Sequence, residues 1–210
     1  MTRQFFASLF CLAIGVLSCG HFSLPLSDEL PAVSLASSAQ VPLASATLGV
    51  EADTADPMLD RAIRYLEERR SGLSEAEIIA VATTIVREAK IHGIDPNLVL
   101  AVIHIESRGN TFALSPVGAM GMMQIMPPTG EELAAKLDIP WRGAQTLFDP
   151  QVNVRMGVTY LKQLESRYGS MKTALAAYNW GPGRIDSKIR RGVAVPASYS
   201  GSVLATYRAP

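Results

Sequence analysis

Glu106 is the residue of this chain best placed to move a proton. Val99, Val102 and Ile103 precede it at helical spacing, so it continues an apolar face. A carboxyl group at the end of a buried helix is desolvated, which raises its pKa. The partial negative charge of a helix C-terminus pushes in the same direction. Both effects suit a general acid that must be protonated near neutral pH. A Glu that faces solvent or pairs with Arg108 has the same local spacing, so Glu106 alone leaves both readings open. Three further segments follow in order: Ser115-Pro116-Val117-Gly118-Ala119, then Gly121-Met122-Met123-Gln124-Ile125-Met126-Pro127, then Ala177-Tyr178-Asn179-Trp180-Gly181-Pro182-Gly183. The first two make a loop, and the rest of the chain is expected to hold Glu106 opposite it at the base of a groove.

The elements that must hold these residues read as helices with clear punctuation. Asp56-Pro57 opens a helix to Arg70 with Asp56 as N-cap, and Gly72 ends it. Ser74-Glu75-Ala76-Glu77 is a capping box for a long helix to His92, stopped by Gly93. Asp95-Pro96 opens the central helix, residues 96 to 107, which is apolar nearly all round and therefore expected to be buried. Residues 108 to 127 read as loop with a helical turn near Met122. Thr129 is expected to cap a helix to Leu137, Asp149-Pro150 a long helix to Tyr168, and Ser170 a helix through Ala177. Residues 181 to 195 read as a Gly- and Arg-rich turn region, and 196 to 207 as a final short helix. Alternating β-branched runs and internal repeats are missing, so the fold class is all-α with seven or eight helices.

The chain has 210 residues, with 19 Lys plus Arg against 19 Asp plus Glu. That balance points to no nucleic-acid partner. The N-terminus reads as a secretion signal, residues 1–18: Arg3 supplies the positive charge, and Phe5 to Leu17 is an apolar run of 13. Val16-Leu17-Ser18-Cys19-Gly20 resembles the lipobox of bacterial lipoproteins, which implies lipidation of Cys19; ordinary cleavage to a soluble periplasmic protein is the alternative. Gly20 after Cys19 points to the outer membrane. Residues 19–55 are rich in Ser, Ala, Pro and Leu and read as a flexible tether, leaving 56–210 as the folded domain. The only cysteines are Cys11 and Cys19, and no Cys/His spacing fits a metal, so neither a disulfide, a metal nor a cofactor is expected.

The motifs around Glu106, Ser115, Gly121 to Pro127 and Ala177 to Gly183, in that order, resemble bacterial lytic transglycosylases of the soluble-lytic-transglycosylase (SLT) type. The resemblance covers roughly residues 80 to 207 and implies a lysozyme-like fold related to goose-type lysozyme. By position it implies that Glu106 is a single catalytic acid/base, that Ser115 approaches the N-acetyl group of a bound sugar, and that Gln124 and Met126 line the groove beside Glu106. It implies that Tyr178 faces the acid, with Asn179 in the same motif. The substrate implied is peptidoglycan, cut between N-acetylmuramic acid and N-acetylglucosamine, with a 1,6-anhydro product. A glycosidase ordinarily uses two carboxylates. None falls between Ser107 and Pro127, and the nearest candidates, Glu131 and Glu132, sit in a helix turn. In such families the substrate's N-acetyl group replaces the second one.

Several residues keep a second reading. Met122 and Met123 read better as core than as groove, and Gln124 also suits tying loop carbonyls together. His92 and His104 read as structural or surface. Trp141 is open between carbohydrate contact and packing. Three positions depart from the family pattern: Met122 stands where Leu is typical, Trp180 where Ala is usual in the Ala-Tyr-Asn-Ala-Gly version, and Arg108 beside the acid where an aromatic or small residue is common. The rival functions are a hydrolytic lysozyme on the same fold and a peptidoglycan-binding lipoprotein without turnover.

Overall fold

A computed structural model describes residues 56–208 apart from Arg70. The signal segment, Cys19 and the tether lie outside the described residues. Eight α-helices are described: α1 Pro57–Glu68, α2 Glu75–His92, α3 Pro96–Ser107, α4 Pro127–Lys136, α5 Pro150–Tyr168, α6 Met171–Trp180, α7 Pro182–Arg190 and α8 Ser198–Arg208. A 3-10 turn, Ala144–Phe148, precedes α5. Among the described residues there is no strand, only two isolated antiparallel bridges, Leu114 to Met120 and Met120 to Ile125.

Helix starts follow local chemistry. The Asp56, Asp95 and Asp149 carboxylates accept backbone N–H bonds two residues on, each ahead of a Pro in the first turn. Ser74 and Glu77 form the reciprocal capping box. Leu98 through Ile103 are all buried, so α3 runs through the middle of the main core with α1, α2, α5, α6 and α8 around it. A second, smaller core of Met120, Ile125, Leu133, Leu147 and Met156 lies beneath α4 and the 3-10 turn. The loop from Arg108 to Met126 bridges the two: Met122 and Met123 belong to the first core, Met120 and Ile125 to the second.

Four expectations need correction. Helix α1 ends at Glu68 with Arg69 as C-cap, short of Arg70, and Gly72 belongs to the following turn. Helix α4 starts at Pro127, not after Thr129: Met126 is an N-cap without a side-chain bond, because two prolines already set the first turn. Helix α6 does not stop at Ala177 but runs on through Trp180, since Gly181 is the first residue to leave helical geometry. The 181 to 195 region is not merely a turn: Pro182 opens α7, which buries Ile185. Asp186 on α7 is held by Arg167 at 2.5 Å and by the Tyr168 hydroxyl at 2.8 Å.

Candidate active site

Helix α3 delivers Glu106 in its last turn, one residue before the helix ends at Ser107. Arg108 adopts the left-handed conformation (φ 57°) and donates its N–H to the Ile103 and His104 carbonyls. Ser107 ties that end down by donating its hydroxyl to the Met122 carbonyl at 2.7 Å. Glu106 is thus fixed against the loop by its own neighbour in sequence.

The loop is held mainly by one buried side chain. Asn153 on α5 is fully buried. Its Oδ1 accepts the Met123 N–H at 2.7 Å, and its Nδ2 donates to the carbonyls of Met120 and Leu147, both at 2.9 Å. An amide is suited to this because it offers donor and acceptor at once. The approach requires Gly121, where φ is 77° and a Cβ would lie 2.3 Å from Asn153 Nδ2. Gly157 does the same for Met123, whose Sδ would lie 2.4 Å from a Cβ there.

Burial pushes the Glu106 carboxyl up to about 7, and a bond donated by the Tyr199 hydroxyl acts against that rise. Burial and the Glu106 charge together raise the Tyr199 phenol, which therefore remains a donor. No neighbouring carboxylate contributes to the shift of Glu106 among the described residues. Glu131 and Glu132 are exposed on α4, and the Glu132 charge is felt at Tyr160 instead.

Tyr178 is close enough to Glu106 for that charge to help raise its phenol, after burial. Its hydroxyl, however, donates to the Met123 carbonyl at 2.8 Å. The direct partner of the carboxyl is Tyr199 on α8, a residue the motif reading did not single out. Residues 196 to 207 read only as a final short helix, and nothing local in that stretch marks Tyr199 as a partner of Glu106. Gln124, Met126, Tyr178 and Asn179 line one cavity of about 290 Å³ together with Trp180 and Thr129. Glu106 does not line this cavity; Tyr178 is the residue shared between the two. Gln124 adopts φ 51°, and its Nε2 donates to the Ala113 and Gly121 carbonyls at 3.1 and 2.8 Å, so it ties the loop as well as lining the cavity. Ser115 sits in a turn on the same loop, its hydroxyl accepting the Ala119 N–H at 2.9 Å. Trp141 packs against Gly130 and the second core, which takes the packing alternative. Trp180 is exposed at the cavity, with the Arg184 guanidinium 5.2 Å from its ring centre.

With this geometry in hand, the chain can be set against known proteins. Residues 83–198 match the family described as the transglycosylase SLT domain. The chain is 34% identical over 140 residues to the soluble lytic murein transglycosylase of Salmonella typhimurium, covering 66% of this chain and 20% of that protein. It is 37% identical over 115 residues to the membrane-bound lytic murein transglycosylase C of Mannheimia succiniciproducens, covering 49% of this chain and 32% of that one. The fold resembles the 70 kDa soluble lytic transglycosylase of Escherichia coli, with a TM-score of 0.56 and 24% identity over 71% of this chain and 29% of that one. The chain therefore spans a fifth to a third of the length of these relatives. The all-α, lysozyme-like expectation holds, and the chain belongs to the SLT transglycosylase domain family.

Proposed function

We propose that the protein is a lytic transglycosylase that cuts the β-1,4 bond between N-acetylmuramic acid and N-acetylglucosamine in peptidoglycan. The observation that carries this reading is Glu106: a desolvated carboxyl, pushed up to about 7, bonded to one phenol and influenced by no second carboxylate among the described residues. Protonated Glu106 donates its proton to the glycosidic oxygen as the C1–O bond breaks. The C2 N-acetyl group of the muramic acid supports the oxocarbenium-like centre. The Glu106 carboxylate then takes the proton of the C6 hydroxyl, O6 bonds to C1, and the 1,6-anhydro ring closes. The acid is restored and no water is consumed. Tyr199 stabilises the carboxylate between the two proton transfers. Ser115 orients the acetamido group, while Gln124, Met126, Tyr178 and Asn179 grip the glycan. A hydrolytic lysozyme needs a second carboxylate to activate water, which the surroundings of Glu106 do not support.

We place this chemistry in residues 56–210, carried on the 19–55 tether and anchored by a lipid on Cys19 at the periplasmic face of the outer membrane. The membrane-bound relative supports the anchor, and a soluble periplasmic form is the alternative. Loss of membrane fractionation in Cys19→Ala tests it. The catalytic reading is tested by mass spectrometry of a muropeptide digest. Wild type is expected to release anhydro products, lighter by one water than hydrolysis products, and Glu106→Gln to lose turnover by about a thousandfold or more with its helical spectrum intact. Hydrated products, or anhydro products from Glu106→Gln, would overturn it.

A further inference from the structure

A cavity of about 370 Å³ lies between α1, α3 and α8. It shares no residue with the cavity at Gln124 and Tyr178. His104 borders it from α3, two residues from Glu106, so the two side chains leave the helix on nearly opposite sides. Arg61 and Tyr65 border it from α1 and Arg69 from the C-cap of that helix, four residues apart on one stripe that spans about 12 Å. Leu100 and Ala101 supply an apolar floor.

The charges of the lining itself are unbalanced. No Asp or Glu lines the cavity, and neither Arg61 nor Arg69 forms an ion pair among the described residues. Asp95, at the N-terminal end of α3 and outside the lining, feels the Arg61 charge and is also held by hydrogen bonds. It accepts the Asn97 N–H at 2.8 Å, Asn97 Nδ2 at 3.0 Å and the Tyr207 hydroxyl at 2.8 Å. Arg69 lies over the Tyr65 ring, 5.4 Å from its centre, and the Tyr65 hydroxyl meets His104 Nδ1 at 3.5 Å. The groups facing His104 are thus Tyr65 from α1 and Arg69 from its C-cap, Tyr207 across the cavity on α8, and Arg108 at the end of its own helix. Burial lowers the His104 pKa, and the charges of Arg69 and Arg108 lower it further. A site that discourages a proton on its imidazole through nearby cations is one that favours an anion.

We propose that this cavity is a second ligand site, for a small molecule that carries a carboxylate or phosphate on an apolar, ring-sized body. Arg61 and Arg69 pair with the anion, as guanidinium forks do with planar oxyanions. The body lies on Leu100 and Ala101, against the Tyr65 ring. The site is independent of turnover at Glu106 and does not rest on that assignment.

The test uses benzoate and phenyl phosphate as probes, benzamide as the uncharged control, and the imidazole NMR signals of the intact protein. His92, on α2 and bonded to Thr159 at 3.1 Å, is the internal reference. Benzoate, phenyl phosphate or both are expected to shift His104 saturably and raise its pKa while His92 stays put. Arg61→Ala/Arg69→Ala, an exposed pair whose loss leaves the core intact, is expected to weaken that binding at least tenfold. A response to benzoate alone identifies a carboxylate ligand, and to phenyl phosphate alone a phosphate. No saturable shift with either probe, equal binding of benzamide, or unchanged affinity in the double variant would overturn the proposal.

Discussion

Two walls meet at Glu106, and they are built by different means. The loop wall, Ser107 to Met126, is stitched from beneath: Asn153 alone holds two of its backbone groups and ties them to the Leu147 carbonyl of the 3-10 turn, and Ser107 and Gln124 add side-chain bonds to its carbonyls. The opposite wall is α8, which buries only Ser200 and Val203 and reaches the acid through the single bond from Tyr199. The first wall is part of the core; the second is a helix laid against α3. The loop wall should therefore answer to mutation in stability, and the α8 wall in chemistry.

The sharpest break of that contrast comes from Asn153→Ala. It strands the Met123 N–H and the Met120 and Leu147 carbonyls in a buried place, where each orphaned group costs about 1–3 kcal/mol. A loss of about 3–5 kcal/mol in denaturant unfolding is expected, with activity falling alongside. Asn153→Asp keeps the acceptor for Met123 and loses both donors, so it should lie close to the alanine variant. If Asn153→Ala unfolded like wild type, the loop would be held by something other than this amide.

Next in size is the effect of Glu106 on stability. Its folded pKa of about 7 stands above the ordinary carboxylate value, so the fold favours the protonated form. That favourable contribution is complete below about pH 4.5 and is lost as pH rises through about 7. Glu106→Gln carries no such penalty. It should be more stable than wild type by about 1–3 kcal/mol at pH 8, with the gap closing below pH 5. Equal stability at both pH values would mean that the carboxyl is solvated and not the poised acid described above.

The α8 wall is tested by Tyr199→Phe. The phenol bond works against the burial of Glu106, so its removal should raise the Glu106 pKa further. The descending limb of the pH–rate profile, set by loss of the acid's proton, should move upward by up to about one unit. The turnover number should fall about tenfold, because the carboxylate between the two proton transfers loses a charge-assisted bond. Melting temperature should barely change. A large loss of stability with an unmoved pH profile would make Tyr199 a packing residue.

The same contrast separates what could be read from the sequence. Caps are local chemistry: Asp95-Pro96 and Ser74 with Glu77 act within one turn, so α2 and α3 start where their residues say. Glu106 at the end of an apolar helix was legible for the same reason. Asn153 and Tyr199 were not, because a polar residue inside a helix carries no period that names a partner 30 or 93 residues away. Helix α7 was missed because Gly181 and Gly183 at its start and Arg184, Arg190 and Arg191 along and just past it dominate the stretch, while its hold on the core is a single buried Ile185. Trp141 is a related case: its sequence left carbohydrate contact and packing equally open, and the ring packs against Gly130 on another element, which no local pattern names.

The smallest effect expected lies at the edge of the loop wall, at Trp180. This ring ends α6 at the mouth of the Gln124 and Tyr178 cavity, exposed on one side and met by Arg184 on the other. It lies outside both cores and has no bond to Glu106, so its removal should leave both fold and turnover number intact. A flat ring fixed by a cation on one side offers an extended apolar surface to glycan on the other. Such a contact is made equally with substrate and transition state, so Trp180→Ala should raise KM about threefold to tenfold at unchanged kcat. Trp180→Phe should recover part of that loss, since a smaller ring retains part of the surface. A fall in kcat instead would mean that Trp180 shapes the site through Tyr178 or Asn179, two residues it follows on the same helical turn, and would make this stretch of α6 part of the stitched wall rather than its rim.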